Sequence, residues 1–252
     1  MVYFSLIEAP HNLKEGIDWL MALRGTDAEA NLKALGAAVH HLLADKPVGL
    51  TKIESLEFIK HITKEFLERK HIKNQEFVQT LLCRFNGPMD KSNLPLKRCF
   101  RKIDGDYDNI VKGLRLKPDS MGLCLGRVAY GCDKFLKHMK IPDEYKSAYS
   151  SKATWESSCA QDPEACAVVF VGIAPMLYTG LRSLKDATEA ANADEKDEGA
   201  RRRLRKVLRA VGYRRSKRRS NISVPFMSQA LGDVDKDVLD ILYDFAGFWA
   251  FY

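Results

Sequence analysis

Residues 165–181, ACAVVFVGIAPMLYTGL, carry no charged side chain, and no other stretch of this 252-residue chain is as apolar. Such a run can be a membrane span, a buried helix or the wall of a site, and the choice decides what the other segments pack against. As a helix, its 17 residues rise about 1.5 Å each, roughly 25 Å in all, which is short of the roughly 30 Å hydrocarbon core of a bilayer. The residues before it form a start signal for a buried helix: Asp162 as N-cap, Pro163 in the first position and Glu164 in the first turn. Pro175 removes one backbone hydrogen bond and crowds the preceding turn, so a bend is expected there. The reading is one long, kinked, buried helix over 163–184.

Helical start signals recur upstream. Asn12 with Glu15, Thr26 with Glu29, and Thr51 with Glu54 each have the spacing of a capping box, and each precedes apolar residues at helical intervals. Asn74 opens a shorter helix that Gly87 and Pro88 close. Asp119 and Ser120 open another, with Leu123, Val128, Phe135, Leu136 and Met139 facing inward. No strand alternation is present. The fold class is therefore all-α: a multi-helix bundle or array around the central kinked helix, with irregular connecting loops. The chain divides into an N-terminal helical region, 1–118, and a C-terminal one, 119–252, which together make two units or one domain.

The 40 Lys and Arg against 33 Asp and Glu give a net +7, unevenly spread. Residues 201–219 hold eleven basic side chains and no acid; the rest of the chain has 29 bases against 33 acids, a net −4. Leu204, Val207, Leu208 and Val211 make the first part of this segment an amphipathic helix over 201–212 with its arginines toward solvent. The denser cluster of Arg214, Arg215, Lys217, Arg218 and Arg219 lacks an apolar stripe and is the candidate contact for a polyanion, whether anionic lipid, glycan or nucleic acid. Residues 186–198, rich in acids and alanine, read as a frayed helix end or linker. The six aromatics of the last ten residues either pack on the core or mark an interrupted chain.

Catalytic and metal-binding patterns are lacking. There is no phosphate loop, nucleophile elbow or dinucleotide fingerprint. His40 and His41 are adjacent and point apart on a helix; His61 and Glu65 share a helix face without a third ligand. Asp104, Asp106 and Asp108 open like a calcium loop, but Asn109 and Arg115 stand where Gly and Glu are needed. Asn221-Ile222-Ser223 is a formal glycosylation acceptor. No catalytic residue, metal or cofactor is expected, and the chain is read as a non-enzyme. Of the six cysteines, Cys124 and Cys132 would lie about 12 Å apart on one helix, too far to bond. Cys159 and Cys166 flank the Pro163 helix start; they either close a short disulfide loop or remain two buried thiols. The first residues, MVYFSLIEAP, have neither a basic region nor an apolar one of signal-peptide type.

Two blocks carry a family resemblance. NLKEGIDWLMALRGTD, residues 12–27, and CAVVFVGIAPMLYTGL, residues 166–181, resemble two blocks of the variant erythrocyte surface antigens of Babesia; LRKVLRAVGY, residues 204–213, is similar to a helix that follows them. The family's aromatic, cysteine-containing continuation is replaced here by Arg182, Ser183, Leu184, Lys185 and Asp186. The resemblance implies an ectodomain, truncated member or fragment of a parasite protein at the surface or membrane of the infected erythrocyte. There it would take part in antigenic variation and cytoadhesion, with a host endothelial receptor or another surface-antigen subunit as partner. The alternative reading is an intracellular module whose residues 201–219 contact nucleic acid or anionic membrane.

Overall fold

The computed structural model describes residues 2–46, 53–87, 109–141, 143–194, 197–213 and 223–251, the last four of these and residue 110 by backbone alone. The described residues form eleven helices and no strand; Tyr3 and Tyr149 share one isolated bridge. The first four helices are α1 (Leu13–Arg24), α2 (Ala28–Ala44), α3 (Glu54–Leu67) and α4 (Glu76–Asn86). After α5 (Ile110–Gly113) and α6 (Pro118–Met139) come α7 (Trp155–Ser158) and α8 (Pro163–Ala193). The chain finishes with α9 (Glu198–Ala210), α10 (Val224–Ala230) and α11 (Lys236–Phe251).

The apolar run becomes α8, one 31-residue helix started as its sequence implies, with Asp162 Oδ1 accepting the Ala165 N–H at 3.1 Å. It continues unbroken through Pro175. Thr63 Oγ1 from α3 donates to the Gly172 carbonyl at 2.6 Å, in the turn that precedes the proline. Helices α1, α2, α3, α4, α9, α10 and α11 all pack on α8, so both halves of the chain share one apolar core. By length and composition α8 could cross a membrane, yet 89% of its most apolar window is buried inside the protein. That burial makes it a core helix here.

Two expectations change at its C-terminal end. Helix α8 runs nine residues beyond 184, and 186–193 is ordered helix instead of a frayed end or linker. Ala187, Thr188 and Ala191 continue the buried stripe inward while the acids face out. The basic helix starts earlier and ends sooner than 201–212, at Glu198 and Ala210, because Asp197 caps it through the Gly199 N–H. Gly212, at φ 104°, then turns the chain where Asn12 leaves no room for a side chain.

Other starts shift by a residue or two. Asp27, not Thr26, caps α2; α4 begins at Glu76, beyond Asn74; and Pro118 occupies the first turn of α6, ahead of Asp119. Thr51 lies outside the described residues. At α1 the Asn12 cap accepts the Glu15 N–H at 3.1 Å, but Glu15 returns its carboxylate to the His11 N–H at 2.8 Å. Leu123, expected to face inward, is 74% exposed. Gly36 of α2 and Gly122 of α6 let two backbones touch: a Cβ on Gly36 would lie 2.5 Å from Gly122 Cα. Asn109, which spoils the calcium pattern, caps α2 instead, giving its Nδ2 to the Leu43 and Lys46 carbonyls at 2.7 and 2.8 Å. In the aromatic tail, Phe245 is buried edge-on against Phe170, and Tyr243 packs on Tyr178.

Candidate functional site

A polar knot joins α1 to the N-terminal segment and to the loop before α7. Asp18, 2% exposed, accepts from Lys14 Nζ and from the Ala148 N–H, both at 2.8 Å, and from the Tyr145 hydroxyl. Tyr3 donates its hydroxyl to Glu15 at 2.9 Å, and Tyr149 donates to the Glu8 carbonyl at 2.5 Å. Burial, and then the neighbouring carboxylates, push the phenols of Tyr3 and Tyr145 well above their ordinary range. Tyr149 is raised by burial and then by Tyr3 and Glu15. The three phenols therefore stay protonated donors with their protons committed. The Tyr3 hydroxyl also lies 2.8 Å from His11 Nδ1, and the whole arrangement clamps loops to α1.

Cys159 and Cys166 are joined at an S–S distance of 2.03 Å across the start of α8, with Cα atoms 5.7 Å apart. Cys132 is a fully buried thiol, which burial and then the charge of Asp133 push up to about 12. Among the described residues no group of three His, Cys, Asp or Glu side chains could hold a metal ion. His61 Nε2 lies 3.3 Å from the Glu65 carboxylate on the exposed side of α3, and His40 Nε2 lies 3.0 Å from the Leu116 carbonyl.

Two clefts among the described residues stand near charged side chains. One of about 680 Å³ runs along α6, lined by Leu123 and Tyr130 and by the ion pairs Lys33–Asp119 and Arg127–Asp235, at 3.1 and 3.4 Å. The other, about 570 Å³ and polar, lies between α4, α8 and α9. In it Arg182 covers the Phe77 ring at 4.3 Å and donates to the Tyr178 hydroxyl. Burial raises the Asp186 carboxyl there, against the lowering pull of Arg182.

Arg214, Arg215, Lys217, Arg218 and Arg219 lie outside the described residues. The structure brings together another cationic set that linear spacing does not reveal. Arg202, Arg203, Lys206 and Arg209 stand exposed on α9, and Lys70 and His71 join them from the turn after α3. Desolvation, and then the charges of Lys206, Lys70 and Arg209, hold the His71 imidazole below its ordinary value. The sequence signal for this set is partial: α9 reads as basic on one face, while the 130 or so residues between it and Lys70 conceal the pairing. Comparison with known protein families, with curated proteins and with solved structures finds no match to this chain.

Proposed function

We propose that this chain is a non-catalytic recognition domain: an ectodomain or fragment of a parasite variant surface antigen of the kind its two sequence blocks resemble. In that role it is displayed at the infected erythrocyte surface, takes part in antigenic variation and adheres to host endothelium. The observation that supports the reading is the meeting of the two blocks. Residues 12–27 lie mostly in α1 and 166–181 in α8, and the helices interlock. A Cβ on Gly180 would stand 2.9 Å from Leu13 Cβ, and one on Gly16 would stand 3.0 Å from Leu177 Cδ2. Two stretches about 150 residues apart thus form one packing unit, which leaves the outward faces of α6 and α9 free to vary. The test is membrane-impermeant biotinylation and protease shaving of intact infected cells, followed by detection with antibodies to the folded domain. Labelled, shaved protein is expected; a signal confined to the parasite interior would overturn the reading.

A further inference from the structure

On α9, Arg202, Lys206 and Arg209 recur at intervals of four and three and so form one face, while Arg203 turns into the polar cleft with Arg182 and Asp186. Glu198 is the helix's lone acid, and Arg201 and Arg205 approach it at 3.8 and 3.9 Å. The other four make no ion pair among the described residues. The turn after α3 is fixed against this helix: Arg69 donates to the Ala210 carbonyl at 2.7 Å and to the His11 carbonyl at 2.9 Å. Lys70 and Lys73 are exposed on that turn. Of the acids near this turn, Glu68, just past α3, lies 4.0 Å from Lys64, and the charges of Glu15 and Glu65 act on Arg69.

The surroundings decide which anion suits the face. Binding to a bilayer is strengthened by apolar side chains that enter it, and the exposed large hydrophobics, Phe4, Phe58, Leu114, Leu123 and Tyr130 among them, lie off α9 and off the turn. Single-stranded nucleic acid calls for exposed aromatic platforms, and the described residues of the face have none. The Cys159–Cys166 bond fits an oxidising compartment, where sulfated glycans are the abundant linear polyanions. We propose that Lys70, Arg202, Lys206 and Arg209 form a binding face for a sulfated glycosaminoglycan chain of the heparin class. This names a partner class for the surface reading above, and it rests on that reading for where the two would meet.

The test is binding of the full purified chain to immobilised heparin across a salt series. Arg202→Gln/Lys206→Gln/Arg209→Gln should weaken binding about 100-fold at physiological salt, at roughly fivefold per lost cation. The same variant should flatten the salt slope by about 3. Lys117→Gln/Lys146→Gln/Lys152→Gln changes net charge equally away from the face and should bind within about twofold of the unmodified chain. Arginine-to-lysine changes at 202 and 209 should retain binding, and equal melting temperatures would establish that the variants fold. The proposal falls if both triple variants weaken alike, if only neutralising residues 214–219 removes binding, or if duplex RNA or phosphatidylserine vesicles bind more tightly than heparin. Heparin binding by the purified chain together with a purely internal cellular location would remove the surface reading and keep the face.

Discussion

Replacing Gly36 with alanine tests the helix contact that joins the two halves of the chain. By helix propensity alone, a mid-helix glycine-to-alanine change stabilises by about 0.5–1 kcal/mol. Gly36 is different because the added Cβ would meet Gly122 Cα at 2.5 Å and the Met121 carbonyl carbon at 3.0 Å. Both are backbone atoms and cannot rotate away. Restoring ordinary contact requires α2 and α6 to separate by about 1 Å, and overpacking of this kind costs about 1–3 kcal/mol. With the upper part of that range set against the propensity gain, Gly36→Ala should lose about 2 kcal/mol, or about 4–8 °C in melting temperature for a chain of this size. Gly126→Ala is the matched control: it lies in α6, and a Cβ there meets nothing within 4 Å. It should gain about 0.5–1 kcal/mol and melt higher by about 1–4 °C. Thermal unfolding followed by far-ultraviolet circular dichroism reads both. A Gly36→Ala protein that melts at or above the unmodified chain would refute the close-approach argument.

Three further outcomes are expected. The Cys159–Cys166 bridge closes a short loop with a sequence separation of 7, so its removal by Cys159→Ser/Cys166→Ser should cost about 2.4 kcal/mol, measured in urea; identical peptide maps with and without reductant would exclude the bridge. Native alkylation at pH 8 should label exposed Cys83 and spare Cys132, whose thiol is buried and pushed up to about 12; labelling of Cys132 before unfolding would contradict its burial. Burial opposes ionisation of Asp133, but hydrogen bonds from Lys137 and Arg24 outweigh it and hold its carboxyl below the ordinary 3.8. Its contribution is therefore present above the unfolded-state value and lost as pH falls through the native one. Asp133→Asn should destabilise at neutral pH and converge with the unmodified chain in acid, while a gap constant with pH would refute the assignment.

The elements legible in the sequence are those set by nearby residues. Asn12 and Asp162 cap the helices they announce, and the stripe of Leu204, Val207 and Leu208 is buried as its spacing implies. Expectations failed where a distant partner decides. Leu123 has helical spacing with Val128 and Phe135, but the helix has more apolar positions than its buried face can hold, and Leu123 falls into the cleft with Tyr130. The acids between 186 and 194 mask Ala187 and Ala191, small residues whose inward role depends on the packing of α9 and α11 against α8. The cationic face was half visible. Its arginines are local, but Lys70 and His71 reach it only because Arg69 ties a far turn to the end of α9. The knot around Asp18 left even less trace, since Tyr145 and Ala148 reach that carboxylate across more than 120 residues.

The burial of α8 also limits how the protein can come apart. Among the described residues, helices from both halves of the chain rest on it, and residues 166–181 are buried without interruption. A local opening can fray its exposed ends, but baring the middle requires α1, α2, α3, α9 and α11 to let go together. Amide protons along that stretch should then exchange with solvent only when the whole molecule unfolds, with one common opening free energy. The loops and outer helices can breathe, or accumulate substitutions, independently of one another. The central helix has no partial exit, so any change that loosens it is felt by the whole fold at once.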